Sequence, residues 1–190
     1  PALLRTRAVY PILMVGLGAC VFSGLLTFQT SLVRGTGLQA STFFATYAIT
    51  VVASRFLLAP LIGRAKGDHV AVILLAVMIA GVVVAFGLAH GVLVQIVSAI
   101  LLGLGYGLVY SVIQTQAVND APAEHRNAAL TWFVVAYFLG IFGFPVLGGW
   151  LIVHVGTAGF LTAVLLFALA ETGLALLRGQ RLAAQGVQAT

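Results

Sequence analysis

Three side chains in one apolar run have the spacing needed to line a path for a polar solute. Tyr106, Tyr110 and Gln114 recur every fourth residue, so on a helix they form a single stripe. Gln is costly in lipid and Tyr prefers the membrane interface, which favours a stripe that faces water or solute. Phenol and amide groups offer noncovalent binding through stacking and hydrogen bonds. The alternative is that the stripe only packs against neighbouring helices.

Two other apolar runs carry polar groups at helical spacing. Thr27 and Thr30 share a face of the first run, and Tyr47, Thr50 and Ser54 share a face of the second. Polar groups inside a membrane tend to face the bundle interior or water, although Ser and Thr also bond their own helix backbone. The sequence therefore predicts a solute cavity lined by Thr27, Thr30, Tyr47, Thr50, Ser54, Tyr106, Tyr110, Gln114 and Tyr137.

The same residue inventory argues against an enzyme. All four His and the three acidic residues other than Glu171 fall in loops or at helix ends, so no nucleophile and base meet inside a run. Cys20 stands alone, without disulfide or metal spacing, and no cofactor is expected. Glu171 is expected near the cytoplasmic end of its helix. Any proton-titrating group should then belong to a partner rather than to this chain.

The elements that must position these residues are membrane-spanning helices. Hydrophobic residues make up 62% of the chain and charged residues 7%, a composition typical of lipid-embedded proteins. A helix needs about 20 apolar residues to span a bilayer. Six runs qualify, which predicts an all-α polytopic membrane domain over 1–190. The predicted spans are 8–33, 41–62, 70–89, 92–118, 127–155 and 159–177, followed by a polar tail at 178–190 that should fray.

The basic residues alternate between the two sides of this six-span arrangement. One side holds seven, and the other holds only Arg34. Lys and Arg concentrate in cytoplasmic loops, so both termini are predicted to be cytoplasmic. The seven are scattered at the ends of apolar runs, which excludes a nucleic-acid-binding stripe. They are Arg5, Arg7, Arg64, Lys66, Arg126, Arg178 and Arg181.

Polarity also differs between the runs. The third and sixth carry few polar residues and are predicted to face lipid, whereas the first, second, fourth and fifth carry the polar faces. Arg55 either extends to the cytoplasmic surface or faces the cavity, where it would meet an anion or a carboxylate. Small residues and one proline suggest close helix packing or bending. These are Gly103, Gly107, Gly143, Pro145 and Gly149.

Three stretches resemble the C-terminal six-helix half of a major facilitator superfamily transporter, nearest to bacterial efflux-like permeases. They are RFLLAPLIGRAKGDH, PAEHRNAA and GIFGFPVLGG. The family's cytoplasmic loop motif is matched at Leu61 and Arg64, while Gly63 stands where the family has Asp. The resemblance covers about residues 8–177.

The resemblance implies a fold of two inverted three-helix repeats and alternating access around a midplane site. It implies a secondary transporter of a small solute or drug in the bacterial inner membrane, with export as the expected direction. The remaining six helices would come from an N-terminal half or from a second copy of this chain. The alternative is a membrane interaction or structural domain that transports nothing. The residues expected at the cytoplasmic gating loop are Arg55, Arg64, Asp68 and Arg126.

Overall fold

The chain folds as a bundle of α-helices. The computed structural model describes residues 6–62 and 67–188, and the side chains of 6–58 and 67–182. Six of its helices are long and apolar enough to span a membrane. Within the described residues the α-helices are α1 (Val9–Thr27), α2 (Gln29–Leu32), α3 (Ala40–Ile62), α4 (Gly67–Ala85), α5 (Val92–Asn119), α6 (Arg126–His154) and α7 (Gly156–Gln188).

The six long helices divide into two sets of three with a reciprocal contact pattern. The first set is α1, α3 and α4, and the second is α5, α6 and α7. Helix α1 packs mainly against α6 and α7, and α5 packs mainly against α3 and α4. The first helix of each set therefore packs on the second and third helices of the other set. This exchange is the arrangement expected of two inverted repeats.

Close helix contacts occur where small residues remove side-chain bulk. A Cβ on Gly105 of α5 would lie 2.6 Å from the backbone nitrogen of Met78 on α4. A Cβ on Gly140 of α6 would meet the carbonyl oxygen of Gly16 on α1. Glycine at these points lets the backbones approach, which is how membrane helices gain packing energy when lipid supplies no hydrophobic drive between them.

Helices α1 and α5 form the centre of the bundle, and α3 and α6 form its open side. Half or more of the residues in the α1 and α5 spans are buried (50% and 56%), against 11% in α3 and 17% in α6. The exposed faces of α3 and α6 carry large apolar side chains such as Phe56 and Phe142. The polarity of the sequence did not indicate that α3 and α6 form the open side. Lipid contact of the third and sixth spans, which are α4 and α7 in the structure, stays a prediction.

The two largest departures from the predicted boundaries concern the first and the last span. The predicted span 8–33 is interrupted at Phe28, whose backbone leaves the helical region and separates α1 from α2. The predicted tail 178–190 is instead helical to Gln188, as a continuation of α7. The tail prediction was wrong because Arg178 does not end the helix at the membrane surface. Arg178 is 6% exposed and has carboxylate partners on other elements.

Candidate solute cavity and cytoplasmic ion cluster

One cavity opens between α1, α3, α5 and α6, the four helices whose sequences carry the polar faces. Its volume is about 370 Å³, within the range of small-molecule sites. Each of these helices contributes at least one aromatic or charged side chain. The lining residues are Phe22, Tyr47, Val51, Arg55, Tyr106, Gly107, Tyr110 and Tyr137.

Aromatic rings make up most of the cavity wall. Phe22 of α1 stacks on Tyr106 of α5 with ring centroids 4.7 Å apart and planes 8° from parallel. Phe22 also contacts Tyr47 of α3 at 6.0 Å, and Tyr110 meets Tyr137 of α6 edge-on at 5.3 Å. Such ring pairs stabilise helix contacts and offer flat surfaces to an aromatic or apolar solute.

Arg55 is the cavity's charged residue. Its Nε donates a hydrogen bond of 3.4 Å to the carbonyl oxygen of Gly107 on α5. No carboxylate lines the cavity, and Arg55 forms no ion pair within the described part of the chain. Its terminal guanidinium nitrogens are therefore available to a solute. Of the two sequence-based alternatives for Arg55, the geometry favours the cavity-facing one.

Tyr106, one of the cavity-lining residues, has an unsatisfied hydroxyl that is buried in the helix packing. The side chain is buried, and its hydroxyl has no hydrogen-bond partner among the described residues. A buried hydroxyl without a partner costs about 1–3 kcal/mol.

The structure brings four of the nine predicted cavity residues together and leaves five elsewhere. Tyr47, Tyr106, Tyr110 and Tyr137 line the cavity. The residues outside it are Thr27, Thr30, Thr50, Ser54 and Gln114.

The hydroxyls of Thr50 and Ser54 donate to carbonyl oxygens of their own helix, which was the alternative stated for such residues. Sequence reasoning did not select Phe22, Val51 and Gly107 as cavity residues. Phe22 and Val51 have no polar atom to mark them, and Gly107 was selected only as a packing residue.

A cluster of charges joins three helices at the predicted cytoplasmic end. Arg178 of α7 binds Asp120 at the end of α5 in a bidentate manner, with Nε–Oδ2 and Nη2–Oδ1 distances of 2.6 and 2.9 Å. Its Nη1 also donates to Asp68 in the first turn of α4. Gln116 donates to Asp68 at 3.2 Å. Bidentate arginine–carboxylate pairs are among the strongest protein hydrogen bonds, so this cluster fixes the relative positions of α4, α5 and α7.

The residues predicted for the gating loop do not form one group. Asp68 belongs to the ion cluster, Arg55 lies at the cavity, and Arg126 is exposed at the start of α6. Arg64 lies outside the described residues. Sequence reasoning did not connect Arg178 with Asp120 and Asp68, because they are 58 and 110 positions away from it and meet it only through helix packing.

The residues predicted to allow helix packing or bending have different surroundings in the structure. A Cβ on Gly103 would lie 2.9 Å from Thr50 Cβ, and one on Gly107 would lie 2.9 Å from Val51 Cγ2, so both allow α3 to approach α5. Around Gly143 no atom lies within 4 Å of the Cβ position, and Gly149 makes only an ordinary contact with Phe28. Pro145 lies inside α6, where it removes one backbone hydrogen-bond donor.

Glu171 is not near a helix end, contrary to the expectation from the sequence. It lies near the middle of α7 (Gly156–Gln188) and is 1% exposed. A Cβ at Gly18, the middle residue of α1, would be 2.7 Å from one Glu171 carboxylate oxygen and 2.8 Å from the other. The prediction failed because the helix was assumed to end at 177.

The six apolar spans define an integral membrane protein. The family model described as Major Facilitator Superfamily matches residues 8–186, and the chain belongs to this family. The chain is 33% identical over 137 residues to a protein of Pseudomonas aeruginosa named "Uncharacterized MFS-type transporter". It is also 33% identical over 125 residues to the staphylopine export protein of Staphylococcus aureus.

These matches cover different shares of the two proteins compared. They span 70% of this chain and 34% of the Pseudomonas protein, and 64% of this chain and 32% of the Staphylococcus protein. The chain thus spans about a third of the length of the relatives it matches. Among solved structures, the POT family transporter PepTSo superposes with a TM-score of 0.82 over 92% of this chain and 37% of that one, at 15% identity. That likeness establishes the fold alone.

Proposed function

We propose that this chain is one six-helix half of a secondary active transporter, which moves a small solute by alternating access rather than by enzymatic chemistry. The observation that carries this proposal is the cavity between α1, α3, α5 and α6, with its aromatic wall and its unpaired Arg55. The solute carries a negative charge that binds the guanidinium, and an apolar or aromatic body that packs on the tyrosine rings.

Alternating access requires a second half, and the open side of the bundle supplies a surface for it. The faces of α3 and α6 expose Phe56, Trp132, Phe138 and Phe142 in the part of the chain described. The second half is an N-terminal six-helix domain or a second copy of this chain, and its helices close the cavity from the other side.

Export is the proposed direction, and the bacterial inner membrane the proposed location. The named exporter among the relatives supports the direction. The excess of basic residues on one side supports a topology with both termini in the cytoplasm. Solute would then enter the cavity from the cytoplasmic side and leave on the opposite side.

Binding of a charged and a neutral form of one fluorophore tests the substrate class. Dansylglycine carries an aromatic body and a carboxylate, whereas dansylamide has the same body without the charge. In the reconstituted protein, Arg55→Gln should weaken dansylglycine binding about tenfold or more, because a hydrogen bond to a charged group contributes about 1.5–3 kcal/mol. Binding is measured by the increase in dansyl fluorescence.

The controls separate loss of charge from loss of structure. Dansylamide binding should be unchanged in Arg55→Gln, and Arg55→Lys should restore part of the dansylglycine affinity. Arg126→Gln removes an exposed arginine outside the cavity and should leave both probes unaffected. Equal weakening of both probes in Arg55→Gln would show that Arg55 only supports packing, and an anionic substrate would be rejected.

A further inference from the structure

Glu171 is buried between α7 and α1 and is not one of the residues that line the solute cavity. Gly18, against which both its carboxylate oxygens lie, is nine residues from either end of α1. At 1.5 Å per residue this is about 13 Å from each end, which is close to the middle of a hydrocarbon core about 30 Å thick. An ionisable side chain at this depth is costly, and such residues usually have a function.

The carboxyl group lacks the partners that a permanent charge would need. Its Oε2 is fully buried and accepts no hydrogen bond from the described residues. The nearest cation on its own helix, Arg178, is seven residues away and already binds Asp120 and Asp68. An unpaired carboxylate in an apolar interior is strongly unfavourable. The packed arrangement of α1 and α7 therefore holds Glu171 as the neutral acid.

The titratable groups around Glu171 are few. The Cys20 thiol of α1 and the Tyr106 phenol of α5 interact electrostatically with its carboxyl group. Helix α4, which also packs on α7, has no titratable side chain in 70–85. On α6, Arg126 and His154 lie at the helix ends and Tyr137 lies against Tyr110. Neither Cys20 nor Tyr106 forms a hydrogen bond to Glu171 among the described residues, and no fixed charge there pairs with its carboxyl group.

The acid is also connected to the solute cavity. Phe22 lies one helical turn beyond Gly18 on α1 and stacks on Tyr106, and both residues line the cavity. The Tyr106 hydroxyl is buried and has no hydrogen-bond partner among the described residues. A solute that moves the Phe22–Tyr106 pair therefore acts on the same segment of α1 that covers the carboxyl group.

We propose that Glu171 is a proton-binding site, separate from the solute cavity, which exchanges its proton with water when α1 moves away from α7. The O–H bond of the carboxylic acid breaks, the proton passes to water, and the carboxylate that remains is hydrated. Its role in coupling transport to a proton gradient rests on the proposed function, but proton binding itself does not. This replaces the expectation that a titrating group would have to lie in the partner half.

Infrared spectroscopy of the protein in lipid nanodiscs tests the site directly. A protonated carboxylic acid has a carbonyl stretching band that a carboxylate or an amide lacks. The wild-type protein should lose such a band as the pH rises within the range where it stays folded. Glu171→Gln should lack the band at every pH, and Glu171→Asp should retain a titrating one. Glu124→Gln removes an exposed loop acid and should leave the band unchanged.

Saturation with dansylglycine tests the link to the cavity. Where the probe binds, it should shift the pH midpoint of the Glu171 band, because it acts on Phe22 and Tyr106. A band that never titrates, or one that survives in Glu171→Gln, would overturn the proton site. A midpoint identical with and without bound dansylglycine would overturn the coupling. Failure of dansylglycine to bind would count against the proposed substrate class, while the pH titration alone would still decide the proton site.

Discussion

Arg178 connects α7 to the end of α5 and the start of α4 through two aspartates that lie far from it in sequence. Its side chain is 7% exposed and that of Asp120 is 9% exposed, whereas that of Asp68 is 37% exposed. The Asp120 pair is thus well shielded from water and the Asp68 pair is partly solvated. Removal of the arginine would leave two carboxylates close together without a counter-ion, and a buried carboxylate without its partner is costly.

Arg178→Gln should therefore destabilise the bundle by about 3 kcal/mol, the lower end of the range for breaking a buried pair. The measurement is the thermal midpoint of unfolding of the protein in detergent. Unfolding is monitored by the fluorescence of a thiol-reactive label at Cys20. Asp120→Asn combined with Arg178→Gln should recover part of the loss, since the most buried unpaired charge is then absent.

Arg126→Gln serves as the control because Arg126 is an exposed arginine without an ion pair in the described residues. Its thermal midpoint should match that of the wild-type protein. A midpoint for Arg178→Gln that also matched the wild type would mean that the cluster contributes little to stability.

Residue-scale features were the hardest to obtain from the sequence. The tyrosine stripe was recognised because polar aromatics at helical spacing are conspicuous in an apolar run, and Tyr106 and Tyr110 do line the cavity. Gln114 continues the stripe in sequence but lies outside the cavity. The depth of Glu171 was missed because Arg178 looked like a membrane-surface residue. Its burial depends on Asp68 and Asp120, which only the tertiary fold places beside it.

At the scale of elements, glycine positions on α6 distinguish a tight helix contact from an open surface. Gly140 lies against α1 at the backbone of Gly16, whereas Gly143 has open space where a side chain would be. The two residues belong to the same helix and are less than one turn apart. They therefore form a matched pair for measuring how much the α1–α6 contact contributes to the stability of the chain.

Gly140→Ala should destabilise the chain by about 1–3 kcal/mol, because the added methyl group forces α1 and α6 apart. Gly143→Ala should be neutral or stabilising by up to about 1 kcal/mol, since alanine has the better helix propensity. Thermal midpoints in detergent measure both effects. Equal destabilisation by the two substitutions would contradict the α1–α6 packing described here.

At the scale of the whole molecule, six spans and their alternating charge predict a defined orientation. The α5–α6 connection holds Glu124, and the α4–α5 connection holds His90. With both termini in the cytoplasm, the first connection is cytoplasmic and the second is external. Both side chains are exposed in the structure, so each position is open to a labelling reagent.

In a Cys20→Ala background, a membrane-impermeant maleimide added to intact cells should label His90→Cys and not Glu124→Cys. After the membrane is permeabilised, both variants should react. Mass spectrometry or a gel shift reports the extent of labelling. Labelling of Glu124→Cys in intact cells, without labelling of His90→Cys, would invert the topology and the proposed direction of transport with it.

The overall architecture was largely predictable because lipid restricts the possible structures. Backbone groups in a bilayer must be bonded internally, so apolar runs of this length specify helices. Hydropathy located all six spans and the family resemblance supplied their arrangement, which the matching family model and the superposed structure support. Hydropathy does not encode which helices lie centrally. The central position of α1 and α5 follows from contacts such as Gly140 on Gly16 and Gly105 on Met78.

The exchange of packing partners between the two helix sets also constrains the order in which helix contacts form during membrane insertion. Helix α1 can meet its principal partners, α6 and α7, only after those later helices have been synthesised. Helices α1, α3 and α4 must therefore remain in the bilayer, or beside the insertion machinery, with their packing faces uncovered until α5, α6 and α7 are inserted. A chain that stopped before α5 would lack the main packing partner of both α3 and α4.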